Sequence, residues 1–260
     1  MKLTKHIVIG LVAGAAVLAQ GPPPGGRGFG PGFGRGMGPH LGKVVTGAPY
    51  SADVSSTRVE TLSDGNKIQQ TMTGKIARDS EGRTYSIETS TGGPLGQTGP
   101  TTRISIFDPV AGYAYELNQT TKTATRRAIH VPSSTAVPPG AHVRNGGGPQ
   151  VVKAELGTST INGVVAQGTK TTRTIPAGAI GNANAIVSTT ETWYSADLHT
   201  VVSSTHSDPR AGQMSYSLTN IERSEPSVAL FQVPAGYAVT DAPKGRGQFG
   251  HAGPPPPPLE

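Results

Sequence analysis

Glu88, Glu116 and Glu191, the histidines His199 and His206, and a scatter of serines are the side chains whose types could do chemistry. Paired carboxylates would suit glycoside hydrolysis. Each of these glutamates, however, lies in a strand-like run, opposite in parity to an apolar neighbour (Ile87, Leu117) or beside Trp193. They are therefore predicted to face solvent. His199 and His206 stand near Asp197 and Asp208, a mixture that could ligate a metal. A separation of seven on one continuous strand puts the two imidazoles on opposite faces, and the aspartates read as turn residues. Serine hydrolysis would need the nucleophile on a sharp turn, yet no Gly-x-Ser-x-Gly occurs. There is no phosphate loop or dinucleotide fingerprint, and no cysteine for thiolate, redox or disulfide chemistry. The residues assign no catalytic group, no metal ligand and no cofactor.

The elements that must position these side chains read as strands. Period-two alternation is clearest over Gln213–Ile221, with Met214, Tyr216 and Leu218 on one side and Ser215, Ser217 and Thr219 on the other. Before it, Ile186–Tyr194 and Thr200–Thr205 are joined by the turn Ser195-Ala196-Asp197-Leu198. After it, Pro226–Leu230 predicts one helical turn, and Phe231, Val233 and Tyr237 return apolar side chains to the sheet. Upstream, Ser51–Leu62 and Lys67–Arg78 flank Asp64-Gly65, a type I′ hairpin signal, and Asn162-Gly163 precedes Val164–Ile175 in the same way. Arg83–Thr89, the run holding Ile104 and Ile106, the run holding Tyr113, Tyr115 and Leu117, and Lys122–Arg127 add further strands. Asp-Pro-x-Ala-Gly turns begin at both Asp108 and Asp208, a repeated turn solution rather than a duplicated domain. No long amphipathic helix is predicted between residues 41 and 241.

The flanks differ. Lys2 and Lys5 precede an apolar run, Ile7 to Leu18, that is too short for a bilayer, and Val17-Leu18-Ala19 offers small residues for cleavage before Gln20. Residues 1–19 are thus expected to be a signal peptide and the protein to be exported. Residues 20–42 and 242–260 are Gly/Pro-rich and expected to be disordered, the second with the run Pro254–Pro258. Residues 43–241 form one expected β domain, interrupted by an irregular loop at 129–150 that contains His130 and His142 and reads as a linker between two halves of one sheet, the alternative being a mobile lid over a pocket. Arg27, Arg35, Lys244 and Arg246 concentrate the positive charge in the tails, leaving a nearly neutral body that does not suit nucleic acid.

One stretch carries a resemblance. Glu191-Thr192-Trp193-Tyr194-Ser195-Ala196-Asp197-Leu198, Val201-Val202, the turn Asp208 to Gly212, Tyr216–Ile221 and Phe231-x-Val233-Pro234-x-Gly236-Tyr237 follow one another in a familiar order. Over about fifty residues this resembles the closing half of the LolA/LolB and RseB-like envelope lipoprotein-carrier half-barrels. The resemblance implies a curved antiparallel sheet whose concave face holds an acyl chain or a partner peptide. The helices that line the family's cavity have no counterpart in this sequence.

The expected fold is all-β: a single curved antiparallel sheet, half-barrel-like, with little helix. The expected function is that of a non-enzymatic envelope protein, periplasmic or at the cell surface, binding a hydrophobic ligand or an envelope partner on one sheet face. The alternative is a structural protein whose Gly/Pro-rich tails contact the cell wall or matrix. If a pocket exists, Tyr85, Ile106, Tyr115, Trp193 and Tyr216 are expected to line it.

Overall fold

In a computed structural model, residues 44–91, 99–129 and 149–243 are described. The expected signal segment, the Gly/Pro-rich flanks and the irregular loop with His130 and His142 lie outside them, border residues apart.

Among the described residues, twelve strands form one sheet. The first six are β1 (Tyr50–Thr61), β2 (Lys67–Arg78), β3 (Thr84–Thr91), β4 (Thr101–Asp108), β5 (Tyr113–Asn118) and β6 (Thr123–Ala128). Then come β7 (Gln150–Ile161), β8 (Val164–Ile175), β9 (Ile186–Ser195), β10 (Thr200–Asp208), β11 (Gly212–Glu222) and β12 (Ala238–Asp241). The order in space is β12-β6-β5-β4-β3-β2-β1-β11-β10-β9-β8-β7. Two antiparallel meanders therefore meet where β1 pairs with β11, in a register that sets Val54 opposite Leu218 and Ser56 opposite Tyr216. The closing strand is the exception to the antiparallel expectation: β12 pairs parallel with β6, because the chain crosses the sheet before it re-enters.

Local chemistry explains the turns. Asn162 and Gly163 both have positive φ, 51° and 82°, as a type I′ turn requires. In the two Asp-Pro turns the aspartate carboxylate accepts backbone N–H groups two or three residues on: Val110 and Ala111 for Asp108, Arg210 for Asp208.

The register divides the side chains between two faces. Tyr50, Ala52, Val54, Ile76, Tyr216 and Leu218 share one, where all six are buried. The other carries Tyr85, Ile87, Ile104, Ile106, Tyr115 and Leu117 on β3–β5, and Asp53, Ser55, Thr73, Lys75, Ser217 and Thr219 on β1, β2 and β11. The sheet bends towards this second face. At the tip of the β7–β8 hairpin, Asn162 Nδ2 donates to Leu218 O (2.6 Å) and Ser217 Oγ (3.1 Å) on β11, past β9 and β10. Within the bend, Val164, Ala166 and Gly168 are buried. It is called the inner face below.

Candidate functional site

The apolar half of the inner face is closed by the chain itself. Ile104, Ile106, Leu117 and Ala124 form a buried cluster, with Tyr85, Ile87, Tyr115, Val233 and Tyr237 packed against it. Val233 and Tyr237 belong to the segment that leaves β11 and crosses to β12. That segment is pinned at its start, where Glu225 accepts the Ser80 N–H (3.0 Å) and the Ser80 hydroxyl. These bonds hold the Glu225 carboxyl below its usual range. It continues through the 3-10 turn Val228–Phe231, where Phe231 is buried and the Arg83 guanidinium stands 5.7 Å from its ring centroid. Pro226 lies two residues ahead of the turn, close to the expected helical start.

Beside this strap the same face stays open. A trough of about 570 Å³ is lined by Asp53, Val54, Ser55, Thr73, Gly74, Lys75, Ile87, Thr89 and Thr219. Its lining exposes more apolar than polar surface, with the hydroxyls of Ser55, Thr73, Thr89 and Thr219 set among it. At one side Asp53 accepts Asn220 Nδ2 and Lys75 Nζ, both at 2.7 Å, and these partners, Asn220 foremost, keep its carboxyl ionised to lower pH than usual. Gly74 is required in the floor: a Cβ there would lie 1.9 Å from Ile87 O on the neighbouring strand.

The five residues expected to line a pocket do not converge. Tyr85, Ile106 and Tyr115 lie together in the filled cluster, with Ile106 only 1% exposed. Trp193 shares their face but stands on β9, at the bent end, with its indole N–H donating to Glu191 Oε1 at 2.9 Å. Tyr216 is on the other face, where burial, with Tyr50 and Glu88 nearby, raises its hydroxyl pKa. Sequence reasoning missed Asp53, Thr73 and Lys75 because nothing in their spacing distinguishes a trough floor from a solvated face.

Glu88 also departs from the expectation of a solvent-facing charge. It is half-buried, and desolvation raises its carboxyl pKa against a smaller pull from Arg103. The other expected chemistry falls into structural contacts. His206 Nδ1 lies 2.9 Å from Thr190 Oγ1, while His199 sits in the β9–β10 turn with φ 48°. Among the described residues no group of three His, Asp or Glu side chains could hold a metal ion. Asp79, buried, is held by Arg83 and by the backbone N–H groups of Glu81 and Arg83. Asp208 is held by the Arg210 guanidinium through two hydrogen bonds, at 3.0 and 2.8 Å, beside the bond from the Arg210 backbone N–H.

The fold and the site together define an all-β protein with an unclosed sheet, one face of which has a strapped half and an open half. No protein-family profile matches the chain, and no curated protein sequence matches it. Solved structures do. The MucA/MucB complex of Pseudomonas aeruginosa is similar with a TM-score of 0.33 and 10% identity over 71% of this chain, which spans 56% of that one, just over half its length. LprF from Mycobacterium bovis gives 0.31 and 13% over 69% of this chain and 89% of that one. A LolA-superfamily protein from Nitrosomonas europaea gives 0.28 and 8% over 71% and 90%. At such scores the likeness carries nothing about function, which is argued below from this chain's own residues.

Proposed function

We propose that this chain is an exported, non-enzymatic binding protein of the cell envelope, and that its inner trough holds an extended partner segment or a hydrophobic ligand. One observation carries the reading. The inner face already accommodates apolar side chains from another part of the chain, Val233 and Tyr237 of the strap, and the open trough continues that same surface at Ile87. Its volume lies within the ~300–1,000 Å³ usual for ligand sites. The Thr and Ser floor, with Lys75 and Asp53 at one side, offers hydrogen bonds to a peptide backbone as well as methyl groups to apolar atoms. A non-enzymatic role is supported by the buried acids Asp79 and Asp208, both neutralised by arginines rather than aimed at a cleft.

The test is to isolate the protein from envelope fractions and identify what accompanies it by denaturing mass spectrometry of protein and lipid extracts. Wild type should carry a polypeptide segment or acyl lipid near one-to-one. Thr73→Trp, which fills the trough from an exposed floor position, should lose it at unchanged melting temperature. Wild type isolated clean, or a filled trough that retains its cargo, contradicts the proposal.

A further inference from the structure

The two edges of the sheet are built differently. One ends in β12, four residues long, with Asp241 tied to Arg126 at 2.8 Å. The other ends in β7, twelve residues long, which pairs only with β8 among the described strands. Along β7 every residue from Gln150 to Thr160 is exposed, with Val152 at 63% and Leu156 at 39%. A long edge with unpaired N–H and C=O groups is a template for another strand, and sheet proteins ordinarily blunt such edges. Here the blunting is partial: the six residues Gln150–Glu155 run without interruption until the bulge at Leu156-Gly157, where Gly157 has φ +80°.

The side chains of that run are self-complementary. Val151, Lys153 and Glu155 share the outer face with Arg173, Thr171 and Thr169 of β8. Val152 and Ala154 face inward, and Leu156, at the bulge, has its Cβ over Gly168 beside the Trp193 ring. Consider two copies joined edge to edge, antiparallel, about a two-fold axis normal to the sheet, so that inner faces stay matched. A register centred on Lys153 or on Glu155 sets like charges against each other. Centred on Ala154, it sets Lys153 opposite the partner's Glu155, and Glu155 opposite the partner's Lys153. The same register sets Val152 opposite the partner's Leu156 on the inner face, making one apolar strip from two halves. Cross-strand pairs of both kinds are favourable, and like charges directly opposed are not.

We propose that β7 is a homodimerisation edge, through which a second copy of this chain adds in antiparallel register about Ala154 to make one continuous sheet. This does not rest on the trough reading.

Sedimentation of the full-length protein and of two charge-reversal variants tests it. Wild type should dimerise. Lys153→Glu and Glu155→Lys should each weaken the dimer by about tenfold, since two symmetry-related attractions become repulsions. Mixed in equal amounts, the two variants should recover wild-type association, because each then meets its opposite charge. Unchanged far-UV circular dichroism separates lost pairing from lost fold. A wild type that is monomeric at every concentration, a dimer indifferent to either reversal, a mixture that fails to recover, or a monomer that takes up a foreign strand at this edge overturns the proposal.

Discussion

The six-membered ring of Trp193 lies against the Cα of Gly168 on the neighbouring strand, so close that a Cβ there would stand 2.7 Å from two ring carbons. Leu156 closes in from the other side, its Cβ 2.9 Å from the same point. Glycine is required here for room: no positive φ is recorded for Gly168. Gly168→Ala should therefore destabilise by about 1–3 kcal/mol through overpacking. It should also shift the emission of Trp193, the single tryptophan, measured together with denaturant unfolding.

Arg78 is a second position where backbone and side chain depend on each other. Its Nε and Nη2 donate to Ala48 O at 3.1 and 2.7 Å, Nη2 also donates to Leu198 O, and the guanidinium stands 4.9 Å from the Tyr50 ring centroid. Burial lowers its pKa. Arg78→Met keeps the volume but strands the carbonyls of Ala48 and Leu198, and should cost about 2–4 kcal/mol by equilibrium unfolding. Arg78→Lys should recover only part, since an ammonium lacks the planar fork that reaches both carbonyls.

Removing the strap's anchor should open the apolar half of the inner face. Phe231 is 3% exposed, and Phe231→Ala should cost about 3–5 kcal/mol. Binding of anilinonaphthalene sulfonate should rise as the Ile104–Ile106 cluster is uncovered. A variant that unfolds in one step with no rise in dye binding would show that the strap and the sheet are a single unit.

The carboxylates make opposite contributions to stability as pH changes. Asp53, Asp208 and Glu225 have pKa values lowered by hydrogen bonds from Asn220, Arg210 and Ser80 respectively. Their contribution is complete above the ordinary carboxylate range of ~4 and is lost as pH falls through the lowered values. Glu88 is raised by burial, so its ionised form is a burden above its folded pKa and none below about 4. Glu88→Gln should raise the melting temperature at pH 7, and the difference from wild type should vanish by about pH 4.

Most of the strands were legible in the sequence, because period-two alternation and Gly-bearing turns are local signals. Lys67–Arg78 and Val164–Ile175 agree with β2 and β8 end to end, and Asn162-Gly163 makes the expected type I′ turn. At Asp64-Gly65 only Gly65 has positive φ (83°), so that turn is not the expected type I′: Gly65 N–H donates to Leu62 O and Leu62 N–H to Asn66 O instead. The junction of β1 with β11 was not legible, since the residues it pairs are far apart in the chain and share only a Ser/Thr-rich pattern common to many strands. Nor was the face on which each aromatic lands. Tyr85 and Tyr216 both alternate cleanly with polar neighbours, yet they point to opposite faces. Alternation says that a strand has two faces, but only the register of its neighbours says which face is shared. The role of Phe231, Val233 and Tyr237 was readable as a return to the sheet, because three apolar side chains follow a Pro-led turn.

Photo-crosslinking in the intact envelope tests the trough most directly, with a benzophenone side chain placed at Lys75, on the exposed side of the trough, or at Arg127 on the outer face of β6. The account predicts a discrete adduct, polypeptide or lipid, from position 75, absent when Thr89→Trp fills the same trough, and none from position 127. Adducts from position 127 alone, or from both positions alike, would contradict it.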